Sequence, residues 1–103
     1  MPEYRVIVSR RVAENLLVYT AFIAQVSLDA VRRFVEEYEE VLLRLEENPF
    51  QFQVDTSFDN PKQYRKVLFG KWFKCVFLVE PGIVYLDAIV DVRQNKTDEL
   101  EKL

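Results

Sequence analysis

The chain has 103 residues, 14 of them basic, 17 acidic and none histidine, for a net charge of −3. Half are hydrophobic, which supplies one domain's core and excludes disorder by composition. The lone cysteine, Cys75, excludes an intrachain disulfide, and the missing histidines remove the commonest general base and zinc ligand.

Tyr4 to Val8 is β-branched and aromatic and reads as a first strand. Ser9 is placed to cap the helix that follows. From Arg11 to Val26 apolar residues recur at Val12, Leu16, Tyr19, Ile23 and Val26, one stripe of a helix turned to the core. Ser27 caps a second helix, with Asp29 near the positive end of its dipole. Val31, Phe34, Val35, Tyr38, Val41, Leu42 and Leu45 line one side of it, and arginines and glutamates line the other. Asn48-Pro49 ends it, because a residue before proline avoids helical dihedrals. The two helices form a hairpin.

Residues 49–62 read as a long loop whose Phe50, Phe52 and Phe58 hold it against the body. Tyr64–Phe69, Trp72–Val79 and Ile83–Val92 then read as three strands joined at Gly70 and Pro81-Gly82, an antiparallel meander. In the last strand Val84, Leu86, Ala88, Val90 and Val92 are expected to meet the helices. Tyr85, Asp87, Ile89, Asp91 and Arg93 then share the opposite face. Residues 94–103 read as a charged tail with a helical turn after Thr97. The expected fold is α+β, β-α-α-β-β-β: a helical hairpin on one face of an antiparallel-rich four-stranded sheet, residues 1–103 forming one domain. No signal or membrane segment is legible, so a cytoplasmic protein is expected.

Charge is distributed unevenly. Lys62, Arg65, Lys66, Lys71 and Lys74 follow one another with no acid between them. Lys74, Arg93 and either Arg65 or Lys66 could gather on the sheet's free face, with Trp72 or Tyr85 to stack on a base, and so hold a phosphate backbone. Which side of the Tyr64–Phe69 strand faces out is left open by its pattern. The plainer alternative is a solvated face with ion pairs, Lys74 or Arg93 with Asp87 or Asp91. Those two aspartates lie roughly 13 Å apart along a strand, too far for an acid–base pair. With two glycines in the chain there is no phosphate-cradling loop, and no metal-ligand spacing occurs. Cys75, in an apolar strand, reads as core.

Taken together, Leu45-Glu46-Glu47-Asn48-Pro49, Tyr64-Arg65-Lys66, Gly70-Lys71-Trp72-Phe73-Lys74-Cys75-Val76-Phe77 and Asp91-Val92-Arg93-Gln94, in that order behind a strand and a helical hairpin, resemble the RelE/ParE superfamily of toxins from type II toxin–antitoxin modules, often described as plasmid stabilisation proteins. The resemblance runs from Tyr4 to Asn95. It implies a growth-inhibiting toxin neutralised by a cognate antitoxin that wraps it, with no metal and no cofactor. Two activities follow from the resemblance: RelE-like cleavage of mRNA on the translating ribosome, or ParE-like inhibition of DNA gyrase without catalysis. A repurposed, non-toxic antitoxin-binding regulator is the third possibility. Arg65, Lys66, Lys74 and Arg93 match the family's basic positions, with Lys71, Trp72 and Tyr85 beside them as target-binding candidates. Lysine stands at 74 where nuclease members usually carry arginine, and lacks the planar fork that grips a phosphate twice. Asp91 stands where many carry histidine, and no tyrosine or histidine follows Arg93. These departures favour the non-catalytic, ParE-like branch.

Overall fold

The computed structural model describes residues 3–57 and 62–93. Strand β1 (Arg5–Val8) leads into α1 (Arg10–Ala24) and α2 (Leu28–Glu47), a short 3-10 turn (Pro49–Gln51), and the strands β2 (Arg65–Phe69), β3 (Phe73–Glu80) and β4 (Ile83–Asp91). Phe58 and the tail from 94 to 103 fall outside the described residues.

Both helices start where serine hydroxyls accept orphan amides: Ser9 from Val12 and Ser27 from Ala30, each at 3.2 Å. The sheet order is β1-β4-β3-β2, with β1 parallel to β4 and the last three strands antiparallel. It is a mixed four-stranded sheet with the helical hairpin on one face, the α+β architecture expected. Phe34, Tyr38, Val41 and Leu45 of α2 and Val12 of α1 bury against Val67, Phe69, Phe73, Cys75, Phe77, Val84, Leu86 and Ile89. Phe34, Phe69 and Phe73 pack ring to ring at centroid separations of 4.9 to 6.0 Å. Cys75 is fully buried here, and burial pushes its thiol pKa far up, so it acts as a small hydrophobe.

Three expectations need correction. The alternation of β4 breaks at a bulge: Val76 pairs with Ala88 but Phe77 with Leu86, so Asp87 is the extra residue. Val84 and Leu86 face the helices as expected. Beyond the bulge the faces swap: Ile89 joins the helix-side core and Ala88 and Val90 the other side. Side chains of the first helical segment satisfy the backbone there. The Ser9 hydroxyl donates to the Asp87 carbonyl at 2.9 Å, and the Asn15 carboxamide accepts from the Ile89 amide at 3.1 Å. Second, Val26 is not core. The helix ends at Ala24, and Val26 lies in the turn, 81% exposed. Third, the outer face of the sheet is not bare. Tyr64, Val76, Ala88 and Val90 form a second buried cluster on it, with Leu78 packed alongside.

Candidate functional site

The loop after α2 covers part of that outer face. Residues 53–55 run beside β2: the Asp55 amide donates to the Tyr64 carbonyl at 2.8 Å, the Lys66 amide to the Gln53 carbonyl at 3.1 Å, and Val54 bridges Arg65. This partly occupies a sheet edge expected to be open. It also sets Asp55 over Lys74, whose ammonium donates to the Asp55 carboxylate at 2.7 Å and to the Ser57 hydroxyl at 3.0 Å. Lys74 and Asp55 are 6% and 5% exposed, so this charge is spent inside the protein. Burial alone would raise the Asp55 pKa, but the Lys74 ammonium and the Ser57 hydroxyl and amide overcome it and hold the carboxyl below its ordinary range.

Register settles which way β2 faces. Arg65 pairs with helix-facing Phe77, while Lys66 pairs with Val76 on the outer side. Arg65 is used structurally: its guanidinium donates to the Phe52 carbonyl at 2.6 Å and lies 5.0 Å from the Phe50 ring centroid. Half-buried Lys66 and buried Lys74 remain on the outer face as diagonal neighbours. Tyr85 opposes Leu78 on the same face and is 36% exposed. Nearby, Tyr64 hydrogen-bonds Asp87. Burial raises the Asp87 pKa despite that bond and the nearby Lys62 and Arg11 charges.

Arg93 goes elsewhere. Asp91 pairs with Phe73, so the bulge has turned it to the helix side, and its carboxylate takes the Arg93 guanidinium in a fork of 3.1 and 2.8 Å. That fork raises the Arg93 pKa further. The guanidinium also sits 5.0 Å from the Trp72 ring centroid, and the Lys71 ammonium sits 5.0 Å from the same ring. Lys71 has φ 70°, which a residue with a Cβ seldom adopts, and the Trp72 amide closes this tight turn onto the Gly70 carbonyl at 2.8 Å. The expected gathering of Lys74 and Arg93 on one free face is therefore overturned. They lie on opposite sides of the sheet, each held by a carboxylate, and Arg65 sits near the other end. Of the ion pairs weighed beforehand, Arg93 with Asp91 is present, and Lys74 takes Asp55 instead.

What the structure does assemble is a groove of about 490 Å³ between the α1–α2 turn and the β2–β3 turn. Phe22, Ile23, Val26, Phe34, Trp72 and Phe73 give it an apolar lining, and Arg33, Lys71 and Arg93 outnumber Glu37 among its charged residues. Sequence reasoning picked out Lys71, Trp72 and Arg93 but missed Phe22, Val26 and Arg33. The available signal was an uncharged run from Asn15 to Leu28. Among the described residues no cluster of acids and cysteine could hold a metal ion, and no helix is long and apolar enough to cross a membrane.

No family model matches the chain, and no curated protein matches it in sequence. Similarity lies in three dimensions. The chain resembles a structure described as the chromosomal ParDE TA system from P. aeruginosa, with TM-score 0.67, 17% identity, 87% of this chain covered and 97% of that one. It also resembles the archaeal RelE-RelB complex from Pyrococcus horikoshii OT3, with TM-score 0.51, 16% identity, and coverages of 87% and 96%. The chain has the RelE/ParE-type fold.

Proposed function

We propose that this chain is the toxin half of a type II toxin–antitoxin module, and that it acts in the ParE-like way, by binding DNA gyrase rather than by cutting RNA. The fold and the two neighbouring complexes support the toxin reading. One observation supports the non-catalytic branch: Lys74 and Arg93, two of the four basic candidates, lie on opposite sides of the sheet and are neutralised by Asp55 and Asp91. Stabilising a pentacovalent phosphate takes several donors aimed at one point, and these two cannot converge without breaking ion pairs. The groove supports the partner reading. An apolar floor with Arg33 and Lys71 on its rim suits an acidic amphipathic segment, and the antitoxin reading supplies such an occupant.

The test is expression under a tight promoter, with a gyrase supercoiling assay run beside sequencing of mRNA 5′ ends. The expected result is growth arrest, loss of supercoiling and no new cuts in translated mRNA. Cuts that vanish in Arg93→Ala, with folding intact, would replace this reading with the RelE-like one. Expression without any growth defect would leave only an antitoxin-binding regulator. Charge reversal at the rim (Lys71→Glu with Arg33→Glu) should weaken capture by the antitoxin at least tenfold.

A further inference from the structure

The groove between the two turns leaves large apolar side chains in water. Phe22 and Val26 are 59% and 81% exposed on the side of the α1–α2 turn, and Trp72 is 40% exposed on the side of the β2–β3 turn. The apolar surface does not stop there. On the outside of α1, Phe22 continues into exposed Val18 and Leu17, as far as exposed Glu14. The charges are fewer than the side chains suggest. Asp91 already takes Arg93, and Asp29 takes Arg32 at 3.4 Å. Exposed Arg33 and Lys71 remain on the rim, one from α2 and one from the β2–β3 turn, against one acid in the lining, Glu37. Lys71 is held there at φ 70°, a backbone that glycine would adopt at lower cost.

We infer that the occupant of this groove is a helix of the proposed antitoxin, with an apolar ridge on the floor and carboxylates about one turn apart that meet Arg33 and Lys71; this rests on the toxin reading above. Backbone hydrogen bonding excludes a strand. Phe73, the strand residue in the lining, pairs with Phe69 on one side and Asp91 on the other. The Trp72 amide donates to the Gly70 carbonyl and the Trp72 carbonyl accepts from the Val92 amide, both at 2.8 Å. An extended segment would find no open edge to join here and would bury its own N–H and C=O groups without partners. A helix satisfies its own. Charge and burial exclude a second copy. The acidic helix of this chain is α2, whose ridge of Phe34, Tyr38, Val41 and Leu45 is already buried in its own core. The exposed stripe of α1 carries no carboxylate from Asn15 to Leu28, so it offers Arg33 and Lys71 nothing to pair with.

Trp72 is the only tryptophan in the chain, so its emission reports on the groove. The test titrates the full chain with a designed peptide of about 16 residues, the length at which an isolated helix begins to hold. The peptide carries leucines at intervals of three and four, glutamates beside them and no aromatic residue. Trp72 emission should shift to the blue and saturate. Lysine in place of the glutamates, or proline at the centre of the peptide, should each weaken binding at least tenfold. Arg33→Glu with Lys71→Glu should reverse the preference, so that the lysine peptide binds more tightly than the glutamate peptide. Equal binding by a strand-forming peptide of alternating valine and glutamate would overturn the inference. So would a proline peptide that loses nothing, or a charge reversal that leaves the preference unchanged. A red shift of peptide-free Trp72 in Leu100→Ser with Leu103→Ser would give the groove to the chain's own acidic segment 94–103 instead. A shift on dilution of the protein alone would give it to a second copy. Emission is read here and growth arrest above, so either proposal can fail without the other.

Discussion

Both faces of the sheet bury side chains, but the outer one does so only in part, and different physics keeps water from each. The helix side is closed by α1 and α2 over the interlocked rings of Phe34, Phe69 and Phe73 and over Phe77, which is fully buried. On the outer side a small apolar cluster is joined, toward the β2–β3 turn, by a lysine that an aspartate of the preceding loop neutralises. An apolar interior gains stability with each methylene it buries. A buried ion pair gains little net stability, but becomes expensive once one partner is lost. The first face should therefore respond to volume and the second to charge.

Phe77→Ala should have the largest effect. It leaves a cavity in the closed face and should destabilise by roughly 3–5 kcal/mol. For a chain of this size that lowers the melting temperature by more than about 12 °C. Asp55→Ala comes next. It removes little volume but strands the Lys74 ammonium, and a loss of about 3 kcal/mol is expected in denaturant melts. The double variant Lys74→Met with Asp55→Leu sharpens the contrast, because it should recover most of that loss by making the outer face chemically like the inner one. If Asp55→Ala melts like wild type, Lys74 reaches water on its own and the two faces do not differ as described.

Acid should separate the faces as well. The Asp55 pKa is depressed in the folded chain, so the ionised carboxylate contributes stability that is fully present above the unfolded value, about 3.9. That contribution is lost as pH falls through the folded pKa. Asp87 works with the opposite sign. Burial raises its folded pKa, so its contribution is present below the unfolded value and fades as pH rises through the folded one. Unfolding free energy measured from pH 6 down to pH 2 should fall less steeply in Asp55→Asn than in wild type, and more steeply in Asp87→Asn. Parallel curves for the three proteins would remove the charge argument from the outer face.

These contrasts also explain what could be read in advance. Ser9 and Ser27 mark the helix starts, the stripe from Val31 to Leu45 marks the buried side of α2, and short turns force a meander. All of these are local signals. The pairing of Lys74 with Asp55 spans 19 residues and a loop with no periodicity, so nothing local announces it. The bulge at Asp87 is hidden because residues 83–92 alternate without interruption. Its cause lies about 75 residues away, in the Ser9 and Asn15 side chains that bond the backbone there. Because the bulge turns Asp91 to the helix side, the alternation rule placed Arg93 on the wrong side of the sheet. The outer stripe of α1 was in view all along, but a search for core spacing selects Val12, Leu16, Tyr19 and Ile23 and passes over Leu17, Val18 and Phe22.

The smallest expected effect has the opposite sign. Lys71 holds φ 70° at the tip of the β2–β3 turn, beside Gly70 at φ 57°. A non-glycine residue there costs roughly 1–2 kcal/mol, and glycine costs little. Lys71→Gly should therefore raise stability by about 1 kcal/mol, less whatever the ammonium gains over Trp72. Gly70→Ala should lower it, because its Cβ would come within 3.3 Å of the Phe34 and Phe73 rings at a positive φ. A more stable Lys71→Gly protein that captures the proposed antitoxin less well would show that the strained lysine is kept for the groove rather than for the fold. A Lys71→Gly protein less stable than wild type would mean that the contact with Trp72 outweighs the backbone strain, and the turn would then belong to the fold alone.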